Sequence, residues 1–248
     1  MLNIIADVAG EYNALMELVR IMPKAPIVLL GDLNDRGPQS REVIEWAMRT
    51  PDVQTINSNH GEMFVDYVLR YVDSDYVQQY HHDDFLNNGG VATLESYGFV
   101  GGQTHLSQMN KIPLEHIYWL RDLPNVIETE DLIMSHAPLH ECYKTIEQAN
   151  ADRTLNFHSP TWNRTEPPKR NKFQVFGHNS HWGLSWLTTW KHDPRWSLAA
   201  EQSDEKEVYA VCLDASREKV LTGMHWPTRE IFQVPYRKRQ KTEIDLGF

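Results

Sequence analysis

Ala25-Pro26-Ile27-Val28-Leu29-Leu30-Gly31-Asp32-Leu33-Asn34-Asp35-Arg36-Gly37 is the stretch from which the fold is read. Its first six residues form an apolar run with the character of a fully buried strand. The next seven put two carboxylates and an arginine at the mouth of that strand. Open α/β sheets place their ligands at the carboxyl ends of strands. In that place Asp32 is suited to bridging two metal ions, Asp35 to orienting a nearby histidine, and Arg36 to holding a phosphate. A polar strand-to-helix turn, using Asp, Asn and Gly for turn chemistry, explains the same residues. The segment alone does not decide between them.

The flanking sequence repeats the pattern. Residues 2–6 read as a strand, and 12–22 as an amphipathic helix with Leu15, Leu18, Val19 and Met22 on one face. After the strand at 26–30 comes a helix near 40–49 carrying Val43, Ile44, Ala47 and Met48. A short β-prone run at 53–57 and a helix over 62–72, striped by Phe64, Tyr67, Val68 and Tyr71, complete the unit. This β-α-β-α-β-α order predicts a parallel sheet covered by helices. From about 73 to 125 the chain turns polar and helical, as an inserted cap or side lobe would. Strand-like runs return at 131–135, 173–177, 207–213 and 218–223, predicting a second sheet packed against the first. The polar stretch 140–172 between them reads as a long loop.

Composition narrows the class. With 248 residues, 41% hydrophobic and 23% charged, the chain is long enough to bury a sizeable core and has a globular balance. No apolar run approaches the roughly 20 residues that span a bilayer, and the N-terminus lacks the basic start of a signal peptide. A net charge of -10 argues against broad nucleic-acid binding. The basic tail Arg237-Lys238-Arg239-Gln240-Lys241 reads as a solvated terminus. Cys142 and Cys212 are isolated, which points to neither a zinc ribbon nor a disulfide scaffold and leaves a reducing cytoplasm as the expected location.

Candidate ligands follow the predicted strands one after another: Asp7-Val8-Ala9-Gly10, Gly31-Asp32, Ser58-Asn59-His60-Gly61-Glu62, Ser135-His136-Ala137 and Gly177-His178-Asn179-Ser180-His181. One such residue is ordinary turn chemistry. Five sites, each directly after an apolar run, are not. Mixed carboxylate, amide and imidazole donors suit divalent ions such as manganese, iron or zinc.

As an ordered set these segments resemble the calcineurin-like metallophosphoesterases, and within them the bacterial and bacteriophage PPP-type serine/threonine phosphatases. Asn88-Gly89-Gly90, Thr93-Leu94 and Ser96-Tyr97-Gly98 are similar to the cap region of that branch. The resemblance spans residues 7 to 181. It implies an α/β fold, a four-layer α/β/β/α sandwich with an inserted helical cap. It also implies phosphoester hydrolysis by a metal-activated water, with no covalent enzyme intermediate, on a phosphorylated protein or a small phosphoester. On this resemblance Asp7 binds a first metal, Asp32 bridges two, and Asn59, His136 and His178 complete the second. His60 is the general acid, oriented by Asp35, while Arg36 and Arg164 hold the phosphate. The implied cofactor is a pair of divalent ions, manganese first, iron or zinc as alternatives.

Two motifs depart from the family. Ala9 stands where a metal-binding histidine belongs, and a methyl group coordinates nothing. Three readings stay open: His181 supplies the ligand, the first metal binds weakly with water in the gap, or Ala9 is a substitution that stalls turnover. A pseudoenzyme that binds phosphorylated ligands, and a nucleotide substrate such as a dinucleoside polyphosphate, are the alternative functions. In the third motif Ser58 replaces a glycine and Gly61 replaces a glutamate, with Glu62 one position further on. Elsewhere, Trp182, Trp186 and Trp190 fall at i, i+4, i+8, with Trp196 and Trp226 nearby, and read as packing rather than as a base-stacking surface. His81-His82-Asp83-Asp84 reads as a solvated cap loop, Asp214 as a turn cap, and Cys212 as a buried thiol.

Overall fold

The computed structural model describes residues 1–77, 82–101, 105–139, 143–152, 154–157, 172–190, 193–199, 201 and 206–236. The first half is built as its periodicity dictates. Strand β1 (Leu2–Ile5) is followed by α1 (Tyr12–Ile21), β2 (Ile27–Leu29), α2 (Ser40–Arg49), β3 (Val53–Thr55) and α3 (Asn59–Val72). β1 pairs in parallel with β2, and β2 with β3. Alternate side chains then sort to opposite faces. Ile5 and Leu29 join Leu15, Leu18, Val43, Ile44 and Phe64 under the helices, while Ile4 and Val28 face the second sheet.

Next come α4 (His82–Phe85), a π-helical turn Leu86–Gly90, α5 (Val91–Ser96), a 3-10 turn Leu106–Lys111 and α6 (Leu114–Arg121). Phe85, Leu94, Tyr97, Ile117 and Leu120 of this stretch bury into the same apolar cluster as α1–α3. Phe64 of α3 is the junction, stacked on Phe85 at 5.4 Å between ring centroids and 5.8 Å from Tyr97.

The second sheet comprises β4 (Val126–Glu128), β5 (Leu132–Ser135), β6 (Phe173–Phe176), β7 (Ser185–Trp190), β8 (Asp193–Ala199) and β9 (Lys206–Cys212), in the order β4-β5-β6-β9-β7-β8. β5, β6 and β9 run parallel. Leu132, Met134, Val175, Trp186 and Val211 pack against Ile4, Val28 and Leu30 of the first sheet. On the far side, Val126 and Ile133 meet Ala149 of α7 (Ile146–Ala151). The result is the α/β/β/α sandwich.

Several expectations are corrected. The run at 218–223 belongs to β10 (Val220–Trp226), which pairs antiparallel with β1 and carries β11 (Glu230–Pro235). The first sheet is therefore mixed, in the order β11-β10-β1-β2-β3. The supposed loop 140–172 contains α7 and a 3-10 turn at Leu155–Phe157, and residues 140–142, 153 and 158–171 lie outside the described residues. The spacing of Trp182, Trp186 and Trp190 is not helical, because Trp186 and Trp190 are on a strand. Trp186 is nonetheless buried between the sheets, Trp182 packs on Phe176, and Trp226 stacks on Phe173. The side chains of Trp190, Trp196 and His82, with His81, Cys142 and the basic tail, lie outside the described residues. Cys212 is fully buried. No helix among the described residues is long and apolar enough to cross a membrane.

Phe64 has no exposed surface, so truncating it leaves a cavity that its neighbours only partly fill. Phe64→Ala is expected to lower unfolding stability by about 3–5 kcal/mol, read as a reduced urea midpoint at an unchanged m-value.

Candidate metal centre

The strands of both parallel triplets end on one side of the molecule, and each delivers a polar residue there. Asp7 follows β1, Asp32 follows β2, and His136 follows β5, all buried. His178 lies just beyond β6. Beyond β3, Ser58 caps α3 by accepting the Gly61 N–H at 3.1 Å, which places Asn59 and His60 in the first helical turn. Glu62 accepts from Asn57 Nδ2 at 2.5 Å, and Asn57 Oδ1 in turn accepts the Ser58 amide. That chain fixes the entrance to α3.

Side-chain donors of Asp7, Asp32 and His136 all lie within 4.8 Å of one another. Around His136 the packing is closer. Its Nε2 is 2.9 Å from Asn59 Oδ1, 3.3 Å from Asp32 Oδ1 and 3.2 Å from His178 Nδ1, and Asn59 Oδ1 is 3.3 Å from His178 Nδ1. The tautomer of His136 follows from its other nitrogen. Nδ1 sits 2.8 Å from the Leu30 carbonyl, which can only accept, so Nδ1 carries the proton. Burial holds the His136 pKa below its usual value, so Nε2 presents a lone pair. It faces two oxygens, and Asp32 Oδ1 is buried with no hydrogen-bond partner. Lone pairs converging at roughly 3 Å are the arrangement of ligands bonded to one divalent ion at about 2.0–2.2 Å. Asp32, Asn59, His136 and His178 therefore fit one metal.

Charge tells the same story. Burial opposes ionisation of Asp32, yet His60, His136, Arg36 and His178, whose rings are cationic only in the acid range where Asp32 titrates, overcome it and hold its pKa at about 2. Burial pushes the His178 imidazole down to about 3, helped by His136 beside it. Asp7 is pushed well up, first by burial and then by the carboxylates of Asp214 and Asp32. A divalent cation between Asp7 and Asp32 would relieve that excess negative charge. Asp7 itself accepts the His178 amide N–H at 3.1 and 3.3 Å on its two oxygens. Gly177 makes that approach possible, because a Cβ there would lie 2.1 Å from Asp7 Oδ2.

The first half-site is barer. Ala9 is buried beside it, and its methyl supplies no donor. The structure does not bring His181 to Asp7 and Asp32: it is exposed, and its Nδ1 meets Arg217. Arg164 lies outside the described residues.

His60, Asp35 and Arg36 stand together beside Asp32. His60 Nδ1 is 2.5 Å from Asp35 Oδ2, its Nε2 is 3.8 Å from Asp32 Oδ2, and Arg36 Nη2 is 3.0 Å from Nε2. Burial disfavours the charged His60 ring, but Asp32 and then Asp35 outweigh it and raise its pKa. Arg36 has only donors, so the ring in this geometry is neutral, with its proton on Nδ1 and a lone pair on Nε2. Proton delivery from Nε2 requires the guanidinium to leave for another acceptor.

Two contributors were hidden from sequence reasoning. Asp214 does cap a turn, accepting the Ser216 amide at 2.9 Å, but it is also buried beside Asp7, and burial raises its own pKa. It follows the apolar run Val208–Leu213, the same strand-end signal that marks the other candidates. Gly177 carries no side-chain signal. Its role exists only in the contact with Asp7.

The geometry generates a binding prediction. Manganese added to the purified protein should raise its thermal midpoint, and His136→Ala should abolish that rise. Gly177→Ala should weaken binding about 10–100-fold by displacing Asp7, measured by calorimetric titration.

No curated protein matches the chain. Among solved structures, one described as "a putative diadenosine tetraphosphatase" superposes with a TM-score of 0.62 at 18% identity, covering 96% of this chain and 94% of that one. A metallophosphoesterase from Sphaerobacter thermophilus follows with a TM-score of 0.53 at 16% identity, covering 95% and 89%. These likenesses show the fold. The sequence model of the calcineurin-like phosphoesterases matches residues 2–179, the segment that holds Asp7, Asp32, Asn59, His136 and His178. On that match the chain belongs to the calcineurin-like phosphoesterase family.

Proposed function

We propose that this chain is a phosphomonoesterase of the bacterial and bacteriophage PPP-type branch, acting on protein phosphoserine and phosphothreonine in the cytoplasm, with manganese as its metal. The family is one of metal-dependent phosphoester hydrolases that use a dinuclear divalent centre. The observation that carries the reading is the adjacency of the four-donor cluster around Asp32 to the Arg36–His60–Asp35 set.

Asp32, Asn59, His136 and His178 would hold one ion, and Asp7 with Asp32 the other. When bound, the pair supplies positive charge that lowers the pKa of a water and screens the phosphoryl oxygens. The protein's own groups then do three things. Arg36 swings from His60 to the phosphoryl group, which its planar fork fits. Its departure frees His60 Nε2 to take up a proton from solvent, while Asp35 keeps the Nδ1 proton and the ring orientation fixed. As the water oxygen, its proton released to solvent, bonds to phosphorus, the ester P–O bond breaks with its electron pair on the leaving oxygen. His60 then gives that oxygen the proton.

A nucleotide substrate such as a dinucleoside polyphosphate is the second reading, favoured by one observation. A cavity of about 600 Å³ opens beside Ala9 and Arg36, lined also by Ser216, Lys219 and Tyr236. That volume admits a whole small ligand.

Turnover of a phosphoserine peptide, a dinucleoside tetraphosphate and p-nitrophenyl phosphate with added manganese separates these readings. His60→Ala should cut kcat on the peptide about 10²–10⁴-fold. Preference for the dinucleotide selects the second reading. Binding without turnover of any substrate would make the chain a phospho-ligand-binding pseudophosphatase.

A further inference from the structure

Asp35 is a strained and fully enclosed residue. Its φ is 72°, and it has no exposed surface. Both oxygens of its carboxylate are engaged: Oδ2 takes the His60 Nδ1 proton, while Oδ1 takes Asn34 Nδ2 at 2.8 Å and Thr93 Oγ1 at 2.7 Å. Thr93 belongs to α5, which reaches the site from the 82–97 segment.

Its hydroxyl grips Asp35 at two points. It accepts the Asp35 amide N–H at 2.8 Å and donates to the Asp35 carboxylate. A hydroxyl has one proton, so the 3.1 Å contact with Ser40 Oγ runs the other way, with Ser40 donating. Ser40 Oγ also accepts from the Asp35 amide at 3.2 Å. Thr93 and Ser40 are both 0% exposed, so bulk water does not compete for these bonds. The same segment holds Arg36, whose amide donates to the Gly89 carbonyl at 3.1 Å. Gly89 sits at φ 108°, where a Cβ would be 2.8 Å from Arg36 Cγ.

We propose that Thr93 is a positioning residue for proton delivery by His60, acting through Asp35. The proposal rests on the phosphomonoesterase reading. Thr93 holds the Asp35 carboxylate in the plane where Oδ2 meets His60 Nδ1, and so fixes where Nε2 presents its proton. Losing the hydroxyl leaves the Asp35 amide with only its longer bond to Ser40 and takes one of the two donors from Oδ1, freeing the carboxylate to turn. The penalty falls on the leaving group. An alkoxide needs the proton as its P–O bond breaks, whereas p-nitrophenolate leaves largely unaided.

The test uses the full-length, manganese-loaded protein with Thr93→Val, Thr93→Ala and Thr93→Ser. With an alkyl phosphate, kcat should fall about 10–100-fold in the Val and Ala variants, with KM little changed. The fall on p-nitrophenyl phosphate should be at least about fivefold smaller, since acid catalysis matters less there. Thr93→Ser should recover most of the lost rate. Equal losses on both substrates, or a serine variant no better than valine, would overturn the proposal. Proton NMR gives a readout independent of turnover. The downfield His60 Nδ1–H signal, identified by its loss in His60→Ala, should shift in Thr93→Ala and return in Thr93→Ser. An unmoved signal in Thr93→Ala counts against the relay. If the unsubstituted protein turns over neither substrate, the phosphomonoesterase reading fails, and the NMR arm still judges Thr93.

Discussion

Asp32 Oδ1 is a buried carboxylate oxygen with no hydrogen bond, and the rest of the molecule is arranged around that fact. Burying an unpaired charge costs several kcal/mol. The fold offsets that cost with neutral donors aimed at one point rather than with a salt bridge. The His136 ring stands 3.3 Å from that oxygen, and the His60 ring 3.8 Å from Oδ2. Burial keeps His136 and His178 from protonating, so neither can neutralise Asp32 as a cation. A divalent ion held by these residues would complete the charge balance. The sheets exist, from this viewpoint, to bring six parallel strand ends to that ion: β1, β2 and β3 from one layer, β5, β6 and β9 from the other.

Bringing loops so close strains the backbone. Asp7, Ala9, Asp32, Asp35, Arg36 and His178 all have φ between 42° and 72°, the left-handed region that costs a non-glycine residue roughly 1–2 kcal/mol. Loop-to-loop hydrogen bonds hold them there. Ala9 N–H donates to the Asp32 carbonyl at 2.6 Å, and Gly37 N–H returns to the Ala9 carbonyl at 2.9 Å. Gly37 must be glycine, since a Cβ would lie 2.3 Å from Ala9 O. The metal loops after β1 and β2 therefore form one interlocked unit. The segment after α3 clamps that unit from outside through Thr93 and Gly89.

This division explains what was legible in the sequence. The apolar runs of β1 and β2, and the helical stripes of α1 to α3, are local signals reinforced by burial, so the first half of the fold was readable residue by residue. β10 was readable as a strand but not as a member of the first sheet. Its partner β1 lies more than two hundred residues away, and no local pattern encodes that pairing. β7 misled because tryptophans four apart fit a helix as well as a strand flanked by a turn. At the site, each strand-end ligand announced itself by type and position, whereas Asp214 was read only as a turn cap. Gly177, Thr93 and Ser40 did not announce themselves, because their roles are contacts: an absent Cβ in one case, a shared proton in the others.

Ala9 makes the two halves of the centre chemically unequal. The half around His136 offers two imidazoles, an amide oxygen and a bridging carboxylate, a mixed set that borderline ions accept. Among the described residues, the other half offers the carboxylates of Asp7 and Asp32 beside a methyl group. Oxygen donors alone favour harder ions. Asp214 strengthens that bias, since its buried charge beside Asp7 adds negative potential without adding a nitrogen ligand. Manganese is an ion that both donor sets accommodate, which is why the proposed metal follows from the asymmetry and not only from the family. The missing histidine also leaves space. Ala9 lines the cavity that runs past Arg36 to Tyr236, so a methyl at this position leaves room beside the guanidinium.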